Sequence, residues 1–227
     1  MNIKKFVIGF LAALCLISAS LPAALAAPAK DDGSWDNLVA DFLDKYEDRN
    51  RSCSITPGYR NLVTGEEHLY KGGEYMVACS MYKVPLNMFF TEKVYNGEMD
   101  WSTKIGGVEY SDILEGSIVR SSNSKSELLI RELGTYNEYR RAICRYMGEY
   151  PDKVSSKYYE NNYFTAEQMI FCLRTLYENQ ERFPGLIDRM LEAEPENYFN
   201  YHAQKYDVAH KYGYMSDVNC GKPCRIA

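Results

Sequence analysis

Cys79-Ser80-Met81-Tyr82-Lys83-Val84-Pro85-Leu86-Asn87-Met88-Phe89-Phe90 is the stretch on which the reading of this chain turns. From Ser80 to Tyr95 the apolar residues Val84, Met88 and Val94 interleave with Leu86, Phe89 and Phe90, a helical pattern that ends at the stop signal Asn96-Gly97. Ser80 therefore falls at a helix N-terminus, and Lys83, three residues on, projects from the same face. A serine hydroxyl is a poor nucleophile until a neighbour takes its proton, and a lysine whose pKa is lowered by burial can do that. The exposed amides of the helix start can stabilise the oxyanion formed when a carbonyl is attacked. Taken alone, Ser-x-x-Lys is common by chance and reads as a helix cap followed by a surface lysine.

Two further short motifs give the first one context. Arg120-Ser121-Ser122-Asn123 precedes a helical segment running from Ser121 to Leu133 and closed by Gly134. Its Ser121 can relay a proton, and Asn123 offers a neutral amide to a ligand or to the lysine. Near the C-terminus, His210-Lys211-Tyr212-Gly213 sits in a segment, Tyr206 to Met215, with the alternation of a strand. Lys211 supplies a positive charge for a carboxylate, and Gly213 lets backbone approach a ligand. In isolation the first of these motifs is a polar loop and the second a weak tripeptide.

Asp31 to Asn50 carries Leu38, Val39, Phe42, Leu43 and Tyr46 at helical spacing. Ser52 to Tyr59 and Glu67 to Tyr70 are predicted strands joined by the turn Asn61-Leu-Val-Thr64-Gly65-Glu66. Thr165 to Tyr177 is a predicted helix in which Thr165 caps and Glu167 or Gln168 bonds back. Pro184 to Ala193 is a shorter one. The layout predicts an α+β domain whose sheet is assembled from the two ends of the chain.

Met1-Asn-Ile-Lys4-Lys5, an uncharged apolar run from Phe6 to Leu21 and the small residues Ala24 to Ala27 have the layout of a secretory leader over residues 1–26. The run is shorter than the roughly 20 residues a span needs, so the expectation is cleavage, export and no stable membrane insertion. The remaining residues, 27–227, suffice for one domain with a substantial core. A net charge of −5 without a basic block gives no footprint for nucleic acid. Of seven cysteines one lies in the leader, and the other six have no zinc-ligand spacing, so neither metal nor cofactor is expected. Twenty tyrosines against nine phenylalanines suit cleft linings and extracellular surfaces, or reflect composition alone.

The order Ser80-x-x-Lys83, Ser121-x-Asn123, Lys211-x-Gly213 resembles that of class A β-lactamases within the β-lactamase and penicillin-binding-protein superfamily. Asn61 to Glu66 and Ser126-Glu-Leu-Leu129 with Leu133-Gly134 add to the resemblance. It implies an antiparallel sheet flanked by helices beside an all-helical lobe, and acyl transfer from a β-lactam or a D-alanyl-type cell-wall peptide. It further implies Ser80, Lys83 and Ser121 as catalytic residues and Asn123, Lys211 and Gly213 as substrate-binding ones. Class A enzymes also use a glutamate followed four residues later by asparagine to drive water onto the acyl-enzyme. Glu160 is the positional candidate but lacks that spacing, and Glu196 with Asn200 has the spacing in the wrong place. This leaves open a β-lactamase, a penicillin-binding DD-peptidase or a catalytically impaired binding module. Only 14 residues follow Gly213, where the family continues with two strands and a long helix, and Met215 to Ala227 resembles neither. Cys79 is either a free thiol or, as in some carbapenem-hydrolysing relatives, bridged to Cys220. His68, His202 and His210, with Asp207 and Asp217, are expected to be structural or exposed.

Overall fold

The computed structural model describes residues 34–46, 55–194, 206–216 and 223–226, in two compact units that divide after Asp44. Helix α1, Trp35–Tyr46, begins in the first unit, inside the amphipathic stretch expected from 31 to 50. Residues 1–26, with the expected leader, lie outside the described residues. So do His202, Asp217, Glu196 and Asn200.

The second unit is organised around one helix. A 3₁₀ turn, Cys79–Tyr82, runs directly into α2, Lys83–Tyr95. Every residue from Lys83 to Met88 is buried, as are Phe90, Thr91 and Glu92, so α2 is enclosed on all sides. That is why its apolar residues interleave on two faces instead of forming one stripe. Packed around it are α3 (Tyr110–Ile118), α4 (Asn123–Leu133), α5 (Tyr136–Ile143), α7 (Ala166–Glu178) and α8 (Leu186–Leu191), with α6 (Lys157–Glu160) preceding α7. Ile113, Ile118, Leu129, Ile143, Cys172 and Leu186 bring their side chains into the common core. Helix starts follow local chemistry. Ser122 caps α4 by accepting from the Lys125 amide, and Thr165 forms a reciprocal capping box with Gln168 at α7.

The strands are short and pair two by two. β1 (Gly58–Arg60) and β2 (Glu67–Leu69) form the expected hairpin, with Gly58 opposite Leu69. β3 (Met76–Val77) pairs with β6 (Tyr163–Phe164), β4 (Lys104–Ile105) with β5 (Val108–Glu109), and β7 (Gly213–Ser216) with β8 (Pro223–Ile226), all antiparallel. Among the described residues the hairpins from the two ends of the chain share no ladder, so the single sheet expected from the sequence is four small ones. The strand expected over 206–215 begins only at Gly213, because the residues before it run irregularly toward the core. β8 is a single short strand within Met215 to Ala227, the stretch expected to resemble neither the two strands nor the long helix with which the family continues. A proline at its first position and only four residues leave little pattern to read.

A buried polar chain ties three helices together. Asn87 Nδ2 donates to Lys83 O at 2.8 Å and to Ser117 Oγ at 2.9 Å. Ser117 Oγ lies 2.8 Å from Ser126 Oγ, which donates to Ser122 O at 2.8 Å. All three side chains are fully buried, so each lost partner leaves an uncompensated polar atom. Ser117→Ala is expected to lower unfolding stability by about 1–3 kcal/mol in urea titration with an unchanged m value.

Candidate active site

The start of α2, the loop into α4 and the start of β7 converge on the Lys83 ammonium. Lys83 Nζ is 3.0 Å from Ser80 Oγ, 2.5 Å from Ser121 O, 3.3 Å from Ser121 Oγ and 2.8 Å from Asn123 Oδ1. Lys211 Nζ donates to Ser121 Oγ at 2.8 Å and to Tyr212 O at 3.1 Å. Five of the residues named from the sequence, Ser80, Lys83, Ser121, Asn123 and Lys211, therefore form one connected polar group.

The electrostatics follow from burial. Desolvation lowers the Lys83 pKa to about 8. Desolvation, and then repulsion from Lys83, lowers that of Lys211 to about 7. Among the described residues, two of the three non-glycine residues with left-handed backbone, Cys79 (φ 46°) and Ser121 (φ 53°), flank this group. Such backbone costs on the order of 1–3 kcal/mol per residue and persists only where its surroundings enforce it. At Ser121 it turns the carbonyl oxygen onto Lys83 Nζ while the hydroxyl faces both lysines.

The count of hydrogens defines what Lys83 can do. Ser121 O and Asn123 Oδ1 are pure acceptors and each requires an N–H. A neutral amine has two, which leaves its lone pair for the Ser80 hydroxyl. An ammonium spends its third hydrogen on Ser80 Oγ and holds the oxygen as an acceptor. The same geometry thus serves before and after a proton passes from Ser80 to Lys83.

Gly213 joins the site through backbone. A Cβ there would stand 2.6 Å from Cys79 Cβ and 3.1 Å from both Ala78 O and Ser80 N, so only glycine lets β7 pass this close to the nucleophile turn.

Glu160 ends α6 with its side chain exposed, and no hydrogen bond or ion pair joins it to the Ser80 group among the described residues. The asparagine that reaches the site is Asn162, whose Nδ2 donates to Cys79 O at 2.6 Å. Four residues before it stands Tyr158, buried, with its hydroxyl donating to Arg140 O at 2.9 Å. Nothing in the sequence singled out Asn162, since its neighbour Asn161 is the same residue in the same loop. Cys79 is a free thiol whose pKa burial raises, and Cys220, the partner considered for it, lies outside the described residues. His68 is half-buried beside Glu66, and His210 is buried with its amide donating to Met190 O. Asp207 is exposed.

Solved structures carry the same fold. A β-lactamase from Xanthomonas campestris pv. campestris superposes with a TM-score of 0.63 at 14% identity, covering 78% of each chain. An ancestral class A β-lactamase superposes with a TM-score of 0.64 at 19% identity, covering 77% of this chain and 80% of its own. No curated protein sequence matches significantly. The likeness defines the class by fold as α+β of the class A β-lactamase type. A family model described as the β-lactamase enzyme family matches residues 39–220, and the chain belongs to that family.

Gly213→Ala is expected to push β7 off the nucleophile turn. A crystal structure of the variant would show the Lys211 Nζ–Ser121 Oγ contact lengthened beyond hydrogen-bond reach, with unfolding stability reduced by about 1–3 kcal/mol.

Proposed function

We propose that the protein is a serine hydrolase that forms an acyl-enzyme on Ser80 with β-lactams or D-alanyl-type cell-wall peptides. The observation that carries this reading is the 3.0 Å contact from Lys83 Nζ to Ser80 Oγ, made by a lysine whose pKa is lowered to about 8. Neutral Lys83 accepts the hydroxyl proton as Oγ attacks the carbonyl carbon. The Ser80 amide at the start of the 3₁₀ turn is the one offered to the developing oxyanion, since the Met81 amide donates to Ala78 O at 2.9 Å. Ser121 Oγ, held between the two lysines, hands its proton to the departing nitrogen and takes one in return from the Lys83 ammonium 3.3 Å away. Lys211 attracts the substrate carboxylate, and Asn123, with its oxygen spent on Lys83, presents its amide N–H groups to the acyl side chain. No cofactor enters these steps. The expected leader at residues 1–26 and the cell-wall chemistry of the substrates agree with export to the cell envelope.

A specific observation favours slow release of the acyl group. Desolvation alone shifts Lys83, no carboxylate contributes to the shift of Lys211, and Tyr158 takes the place four residues before Asn162. With no carboxylate bonded to the Ser80 group among the described residues to activate water, the acyl-enzyme is expected to persist, as in a penicillin-binding DD-peptidase.

Incubation with benzylpenicillin is expected to add one drug mass, detected by intact-protein mass spectrometry, and to add none to Ser80→Ala. The adduct should outlast removal of free drug. Rapid loss would assign a β-lactamase with a base elsewhere, and a folded protein that takes no adduct would sink the enzymatic reading.

The acylation rate should depend on pH as a bell. Below about 8 Lys83 gains a proton and can no longer accept one from Ser80, so the rate falls toward acid. Above about 7 Lys211 loses the charge that holds the carboxylate, so the rate also falls toward alkali. The productive form, Lys83 neutral and Lys211 charged, is most populated between those values. Lys211→Arg keeps its charge throughout this range and is expected to flatten the alkaline limb in a stopped-flow profile with a chromogenic β-lactam.

A further inference from the structure

Cys79 keeps a left-handed backbone one residue before the proposed nucleophile, and the contacts that enforce it come from a loop the acyl-transfer steps do not use. Asn162 grips the turn at two successive residues. Its carbonyl oxygen accepts from the Ala78 amide at 2.8 Å, and its Nδ2 donates to Cys79 O at 2.6 Å. The amide orientation is dictated by chemistry, since a flipped Asn162 would set its oxygen against a carbonyl oxygen. In a trans peptide the carbonyl and the following N–H point in opposite directions. Holding Cys79 O on Asn162 therefore turns the Ser80 N–H away from the loop and sets the direction from which Ser80 Oγ leaves the backbone.

The loop is itself held from below by Arg140 on α5. This side chain is fully buried, and no carboxylate pairs with it among the described residues. Its Nε donates to Tyr158 O at 3.0 Å and its Nη2 to Tyr163 O at 2.7 Å, on either side of Asn162. The guanidinium lies 3.7 Å from the centre of the Tyr158 ring and 4.4 Å from that of Phe164. A planar cation with several donors is suited to clamp two carbonyls and two aromatic faces at once, which a lysine could not do.

We propose that Arg140 and Asn162 act as a pair of positioning residues, Arg140 fixing the 158–163 loop and Asn162 using that loop to hold the Cys79 turn, so that Ser80 and its amide are aimed for attack. The proposal rests on Ser80 being the nucleophile. It assigns to Asn162 a role in acylation that is separate from any role in later hydrolysis.

Asn162 is only partly buried, which makes Asn162→Ala the decisive variant, since replacing Arg140 threatens folding. Acylation by benzylpenicillin is followed to separate the non-covalent dissociation constant from the acylation rate constant, and the variant's crystal structure gives the backbone angle at Cys79. The expected result is an acylation rate constant lowered at least about tenfold, with the dissociation constant and the pH limbs unchanged and Cys79 relaxed out of the left-handed region. Acylation at the parent's rate, or a variant whose Cys79 keeps its positive φ, would overturn the proposal. If the parent itself takes no β-lactam, the functional reading fails on its own, and the Cys79 angle in the variant still decides the role of Asn162.

Discussion

Burial of the Lys83 ammonium is the constraint to which the rest of the site answers. An amine enclosed at the start of the central helix must be given oxygen partners or lose its charge. The fold provides four contacts from three side chains and one carbonyl, and each has a structural cost. Ser121 adopts a left-handed backbone to offer both its oxygens, Asn123 sits at the first residue of α4, and Ser80 sits in a tight 3₁₀ turn. The Asn87, Ser117 and Ser126 chain holds α4 against α2, so that Asn123 and Lys83 meet at 2.8 Å. None of these partners is a carboxylate. A carboxylate would have paired with the ammonium and kept it charged, and neutral acceptors leave the pKa where desolvation puts it.

What was legible in the sequence had a local cause. The helix after Ser80, the turn at Asn61 to Glu66 and the cap at Thr165 rest on periodicity or on side chains that bond to nearby backbone. The motifs Ser80-x-x-Lys83, Ser121-x-Asn123 and Lys211-x-Gly213 were recognisable by type and order. Their convergence depends on contacts across 38 to 90 residues, which no local pattern encodes. α3 went unplaced because Glu109 gives it no side-chain cap. α5 opens with a capping box, Thr135 with Glu138, that could have been read and was not. Asn162 and Arg140 were invisible for a different reason. An asparagine in a polar loop and an arginine beside another arginine on a short helix look like surface residues until tertiary packing encloses them.

The two ends of α2 show how charge is distributed along it. At its far end Glu92 is nearly buried and bonded to Arg145, Arg182 and Tyr146, which together hold its pKa below the usual carboxylate range against desolvation. That carboxylate stays ionised and anchors the helix C-terminal half to the rest of the lobe. At the near end Lys83 has no opposite charge beside it among the described residues, and its pKa falls instead. One helix thus carries a fully compensated charge where only structure is needed and an uncompensated one where a proton has to move.

Arg140 and Lys83 make the same distinction between residue types. Both are fully buried basic side chains without a carboxylate partner among the described residues, and both are bonded to backbone carbonyls. A guanidinium does not deprotonate in the accessible pH range, so Arg140 must be stabilised as a cation by two carbonyls and two aromatic faces, and it can serve only as scaffold. An amine can shed its proton, so the same environment turns Lys83 into an acceptor. Exchanging the two residue types would remove both functions: lysine beside Tyr158 would lose the fork that spans the loop, and arginine beside Ser80 could not take the proton. The chain places its non-titrating cation under the loop that sets the geometry and its titrating cation against the hydroxyl whose proton must leave.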